Sequence, residues 1–204
     1  MYDINKLNSI RFDVDNIIYF DPIDFEAKHD ADYIFITHNH DNHFDKNTIL
    51  NLKNKYTKII GPKDIYDSCT EMGFSKENIL IVEPGMDYDL DYMDFRCVYA
   101  YNKDKKYHLK ENVWVGYVIE IAGIIYYIAG DTDYLEENSN IICEVAMIPI
   151  NGVYTMDATS AANFVNKIKP KVVVPVHYEL DESAFDIFKE NVDNKIEVKK
   201  CSKI

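Results

Sequence analysis

The stretch ADYIFITHNHDNHF, residues 31–44, runs from a β-branched and aromatic segment directly into three histidines within six positions. In an extended chain, residues two apart point the same way, so His38 and His40 can converge on one atom. A turn after them would bring His43 in from another direction. Imidazole nitrogens suit zinc and other first-row metals, and three protein ligands beside an open water position mark a catalytic ion. With six histidines in 204 residues, the spacing H-x-H-x-x-H arises by chance in about one chain in two hundred. His29, alone in the polar stretch AKHDAD, reads instead as a surface residue.

Outward from this stretch, the first half reads as short strands bounded by Asp, Asn or Pro: SIRFDV (9–14), NIIYFDP (16–22) and DYIFIT (32–37). Asp45 stands where an N-cap would start a helix over KNTILNLKNKY (46–56). KIIG (58–61) follows as a strand. PKDIYDSCTEMG (62–73) reads as a helix with Pro at its start and Gly73 at its end. The middle is a run of strands: NILIV (78–82), MDYDL (86–90), MDFRCVYA (93–100), VWVGYVIEI (113–121) and IIYYIA (124–129). The last two are joined by Ala122-Gly123, which suits a tight hairpin. Beyond Gly130 strand and helix alternate: VAMIPI (145–150), MDATSAANFVNKI (156–168), KVVVPV (171–176) and ESAFDIFKENV (182–192). Ala158, Ala161, Val165 and Ile168 fall on one helical face. The pattern predicts two sheets with helices outside, in one domain over residues 1–204.

Composition narrows the function. The 47% hydrophobic and 28% charged residues are those of a soluble globular protein. No stretch is long enough to cross a bilayer, and the first residues lack a signal peptide's apolar core, so the cytoplasm is the expected setting. The four cysteines are scattered and read as reduced thiols. A net charge of −13 opposes attraction to nucleic acid, whose binding relies on Lys and Arg. The segment KDKKYHLK (103–110) is a basic exception. It carries Lys103, Lys105, Lys106 and Lys110 around His108; the ordinary reading is a solvated loop, the functional one an anion-recruiting rim. Two strand ends supply further candidates: Asp131 after IIYYIA and His177 after VVVPV.

The segments IIYFDPI (17–23), ADYIFITHNHDNHF (31–44), VGYVIEIAG (115–123), IYYIAGDTDY (125–134), VAMIPINGVYTM (145–156) and KIKPKVVVPVHY (167–178) together resemble the metallo-β-lactamase fold superfamily. Within it they are most like the ascorbate 6-phosphate lactonase-like branch of small bacterial metal-dependent hydrolases. The resemblance implies an α/β fold, an αββα sandwich of two mixed β-sheets with helices on the outer faces. It implies one or two divalent ions, zinc first and manganese or iron as alternatives. His38, His40 and His108 would hold one ion, His43 and His177 a second, with Asp131 shared between them. The family motif T-H-x-H-x-D-H departs here at Asn42, which stands where an aspartate ligand is expected. A neutral amide oxygen is the weaker donor, so the second site should bind less tightly. Asp41 could substitute only through a one-residue shift that would also displace the histidines.

The expected chemistry is hydrolysis of a small anionic ester, lactone or phosphodiester by a metal-bound hydroxide. Asp131 and His177 would be its catalytic residues, and Lys106 and Lys110 would contact the substrate. Asp133 would either accept a hydrogen bond from a ligand histidine or serve as a turn residue. Two alternatives stand beside this reading. One is an RNA or DNA nuclease of the same superfamily. The other is a metal-binding protein with weak catalysis because of Asn42.

Overall fold

The computed structural model describes residues 2–5, 7–91, 93–178 and 181–200. The chain divides into two units, one reaching to Glu83 and the other beginning at Pro84. Cys201 lies outside the described residues.

The first unit is built on a six-stranded sheet in sequence order. Its strands are β1 (Tyr2–Ile4), β2 (Ile10–Asp13), β3 (Ile17–Phe20), β4 (Ala31–Phe35), β5 (Lys53–Gly61) and β6 (Ile79–Ile81). The first three form an antiparallel meander, and β3 to β6 run parallel. Helices α1 (Lys46–Leu52) and α2 (Tyr66–Glu71) lie in the β4–β5 and β5–β6 crossovers, and the β3–β4 crossover is a loop over residues 21–30. Ile49, Leu52, Ile65 and Cys69 pack with Tyr19, Ile34, Ile36, Phe44 and Ile59 in one buried cluster.

Asp45 caps α1 as expected, accepting the Asn47 N–H at 2.9 Å. The helix stops four residues earlier than its sequence suggests. Lys53–Tyr56 join β5 instead, because the Asn54 amide donates to the carbonyls of His29 and Ala31, at 3.2 and 3.1 Å. The Thr57 hydroxyl reaches the Ala31 carbonyl at 2.6 Å. These bonds to β4 and the segment before it outweigh the local helical pattern. Gly73 ends the next helical segment with φ +78°.

The second unit carries a seven-stranded sheet in the order β13-β12-β11-β10-β9-β8-β7. These are β7 (Asp87–Leu90), β8 (Met93–Tyr99), β9 (Val115–Ile121), β10 (Ile124–Ile128), β11 (Val145–Pro149), β12 (Val172–Val176) and β13 (Glu197–Val198). Strands β7 to β10 form an antiparallel meander and β10 to β13 run parallel. Both sheets are therefore mixed, and the chain is of the α/β class. Ala122 and Gly123 close the β9–β10 hairpin with φ +51° and +77°, the left-handed pair that a two-residue turn between twisted strands demands.

Helix α3 (Ala158–Ile168) buries the face read from the sequence, with Ala161 and Val165 fully covered. Its Phe164 ring meets Tyr127 of β10 at 6.1 Å. Helix α4 (Glu182–Asn191) begins at Asp181, which accepts the N–H groups of Ser183 and Ala184. Cys69, Cys97 and Cys143 are free and buried. Burial pushes the thiols of Cys69 and Cys143 up to about 12. No helix among the described residues is long and apolar enough to cross a membrane.

Candidate functional site

In the first unit the parallel pairing of Phe20 with Phe35 brings the ends of β3 and β4 together. Asp21 leaves β3 in the left-handed region, φ +41°. Its carboxylate is fully buried and accepts from Thr37 twice, from the backbone N–H at 2.7 Å and the hydroxyl at 2.6 Å. It also takes a ring N–H from His43 at 2.8 Å and the Asn8 amide at 3.3 Å. The Thr37 hydroxyl, having given its proton to Asp21, accepts at 2.9 Å from His38 Nδ1.

These bonds fix the tautomers. With Nδ1 carrying the proton in both His38 and His43, each ring keeps its Nε2 lone pair as a ligand. The His38 and His43 ring centroids lie 4.1 Å apart, and those of His38 and His40 lie 4.8 Å apart. A hydrogen-bonded turn follows, the N–H groups of His43 and Phe44 both donating to the His40 carbonyl at 2.8 Å. Asn42 and Asp41 occupy the exposed crest of that turn. Asp21 lies close enough to His38 and His43 to be grouped with them as a possible ligand. Its oxygens already receive four donors, so its chemistry is that of an orienting carboxylate.

The second unit places Asp131 just past β10, His177 just past β12, and His108 in the loop between β8 and β9. All three are buried, at 3%, 1% and 3% exposure. The Nε2 atoms of His108 and His177 approach the same carboxylate oxygen, Asp131 Oδ2, at 3.2 and 3.4 Å. Both histidines adopt left-handed backbone, φ +56° and +52°, a conformation uncommon for side chains with a Cβ and concentrated at functional positions. His108 is held there by Asn102, whose backbone N–H donates to the His108 carbonyl at 2.7 Å. The Asn102 amide donates to the carbonyls of Tyr107 and Tyr154 at 3.0 and 2.7 Å and lies 3.3 Å from His108 Nδ1.

The basic segment is sorted by its partners. Lys105 pairs with Asp133 and donates to the Thr155 carbonyl at 2.9 Å. Asp133 also accepts the Lys103 N–H at 2.9 Å. Asp133 thus pins this loop and orients no ligand histidine. Lys110 lies 5.1 and 4.8 Å from the ring centroids of Tyr99 and Tyr101 and reaches Glu137 at 3.5 Å. Its ammonium is raised above the ordinary lysine range, first by the Tyr101 hydroxyl and then by Glu137. Lys106 stands 4.7 Å from the Tyr107 ring centroid and is raised first by that same tyrosine.

The donors fit a divalent transition metal. The first unit offers three imidazoles, two with their remaining nitrogen bound to an orienting oxygen, and the second offers two imidazoles about one carboxylate. Asp21 and Asn102 are the functional residues that the sequence reading passed over. Asp21 had a signal, since it ends the strand IIYF as Asp131 follows IIYYIA. Asn102 had none.

Comparison with known proteins agrees with this chemistry. A family model described as a β-lactamase superfamily domain matches residues 8–177. A UPF0173 metal-dependent hydrolase of Nanoarchaeum equitans is 32% identical over 172 residues, covering 80% of this chain and 76% of the relative. Another, from Thermococcus onnurineus, is 33% identical over 160 residues, 73% and 67% of the two chains. Among solved structures, a protein of Parabacteroides distasonis described as a metal-dependent hydrolase superposes with a TM-score of 0.83 at 28% identity, covering 98% and 91%. The metallo-β-lactamase fold protein YhfI of Bacillus subtilis shares the fold at 10% identity, with a TM-score of 0.75 over 96% and 88%.

Proposed function

Because the chain belongs to the β-lactamase superfamily, in its UPF0173 group of metal-dependent hydrolases, we propose that it hydrolyses a small anionic ester, lactone or phosphodiester. As the family resemblance implies, His38, His40 and His108 would hold one divalent ion, zinc before manganese or iron. His43 and His177 would hold a second, Asp131 would serve both, and Asn42 would make the second the weaker. The observation that carries this reading is the approach of two buried Nε2 atoms, from His108 and His177, to one oxygen of Asp131.

A divalent ion bound there would lower the pKa of water from near 16 to about 7 and polarise the scissile carbonyl or phosphoryl group. The protein's own groups do the rest. Thr37 and Asp21 keep the protons of His38 and His43 on Nδ1, which leaves Nε2 of each ring to face a metal. Asp131 orients the attacking water by accepting one of its protons, and His177 fixes that carboxylate. The water oxygen bonds to the acyl carbon or phosphorus, the ester C–O or P–O bond breaks, and the leaving oxygen takes up a proton. Lys106 and Lys110 attract the anionic substrate in a chain that is otherwise strongly acidic.

The test is turnover of a panel of anionic esters, lactones and phosphodiesters by metal-loaded protein, its chelated form and Asp131→Ala. Hydrolysis that requires both the metal and Asp131 supports the proposal. Equal turnover by all three preparations contradicts it.

A further inference from the structure

Tyr107 and Tyr154 are large side chains left 38% and 40% exposed. Their rings meet edge to face, with centroids 5.2 Å apart and planes at 63°. One amide ties them to a ligand histidine. Asn102 Nδ2 donates to both tyrosine carbonyls and lies 3.3 Å from His108 Nδ1, so both backbones stand beside the His108 imidazole.

The loops presenting the rings are fastened elsewhere as well. Asn151 Oδ1 accepts the N–H groups of Val153 and Tyr154 at 3.0 and 3.1 Å. The Met156 N–H donates to the Thr132 carbonyl at 3.0 Å, and Lys105 holds the Thr155 carbonyl. A tyrosine on such a loop has little conformational freedom left to lose on binding. The Lys106 ammonium, 4.7 Å from the Tyr107 ring centroid, adds a cation to the same corner.

We propose that Tyr107 and Tyr154, on the loops that Asn102 ties to His108, form an aromatic wall that binds an aryl group of the substrate, with Lys106 receiving the substrate's negative charge. The substrate class is thereby narrowed from small anions in general to aryl-bearing anions. This rests on the hydrolase reading above. A corner of two rings matches one small aromatic group and is far smaller than a protein interface, which takes 20–30 residues a side. The fixed edge-to-face pair leaves ring faces and edges for a third aromatic group to pack against.

The test is calorimetric titration of metal-loaded protein with phenylphosphonate and methylphosphonate, anions that differ in the aryl group and need no turnover. Phenylphosphonate should bind about tenfold more tightly. Tyr107→Ser and Tyr154→Ser should each reduce that preference to less than threefold, with methylphosphonate affinity and metal content unchanged. Tyr107→Phe should retain the preference, and Lys106→Gln should weaken both anions alike. Equal binding of the two anions by the unmodified protein, or a preference surviving in both serine variants, would overturn the wall. Binding of neither anion would overturn the anionic-hydrolase reading and the wall with it.

Discussion

Replacement of Asp21 tests how the first unit prepares its histidines. The carboxylate is fully buried and accepts four hydrogen bonds, two from Thr37 and one each from His43 and Asn8. Asp21→Ala strands donors on Thr37 and His43, residues that are themselves fully buried. A buried group deprived of its partner costs about 1–3 kcal/mol, so stranding the Thr37 N–H and the His43 ring N–H should cost the variant about 2–6 kcal/mol. Asp21→Asn keeps the shape but can turn an amide N–H towards His43 Nδ1. That ring would then accept at Nδ1 and carry its proton on Nε2, the nitrogen needed as a ligand. Its stability loss should be smaller, about 1–2 kcal/mol, while affinity at the site using His43 falls about 10- to 100-fold. Urea denaturation of metal-free protein gives the first quantity without the contribution of bound metal, and competition with a chelator gives the second. If Asp21→Ala stays within 1 kcal/mol of the unmodified protein, or Asp21→Asn binds metal undiminished, the orienting role is refuted.

Asn42→Asp should raise affinity for the weaker ion about tenfold, by restoring a charged ligand; two equally tight sites in the unmodified protein would rule out this reading of Asn42. Gly116→Ala should cost about 1–3 kcal/mol, because an added Cβ would lie 2.7 Å from the Ala129 carbonyl oxygen and 2.9 Å from that of Ile128. The same push displaces the strand end that carries Asp131, so metal content should fall with thermal stability; an unchanged melting midpoint would contradict this. Neutralising Lys106 and Lys110 to Gln should raise KM for an anionic substrate and flatten its salt dependence without changing metal content. An unchanged KM returns both residues to the solvated surface.

Local pattern carried a good part of the fold. The strand-like runs VGYVIEI and IIYYI around Ala122-Gly123 gave the β9–β10 hairpin, and helical spacing of Ala158, Ala161, Val165 and Ile168 gave the buried face of α3. The helix over 46–56 was misread beyond Leu52 because Asn54 and Thr57 are captured by carbonyls more than twenty residues away. Strands β1 and β13 span three and two residues, too few for any periodicity to register. Strand ends delivered His38, Asp131 and His177 as candidates for a simple reason: a carboxylate or imidazole just past an apolar run stands where the sheet's backbone pairing stops. Asp21 obeys the same rule, yet its role depends on Thr37 and His43, which only parallel pairing of β3 and β4 brings to it. Asn102 is recognisable solely from the carbonyls it binds, which belong to two separate loops.

The most direct test is elemental analysis of the purified protein, its chelated form, and the variants His38→Ala, His40→Ala and His108→Ala, with hydrolytic turnover measured on the same samples. The unmodified protein should carry at least one divalent transition metal per chain, each variant should lose it, and activity should return to the chelated protein with added metal. Undiminished metal in all three variants, or full hydrolysis by metal-free protein, would contradict a metal-dependent hydrolase built on these histidines.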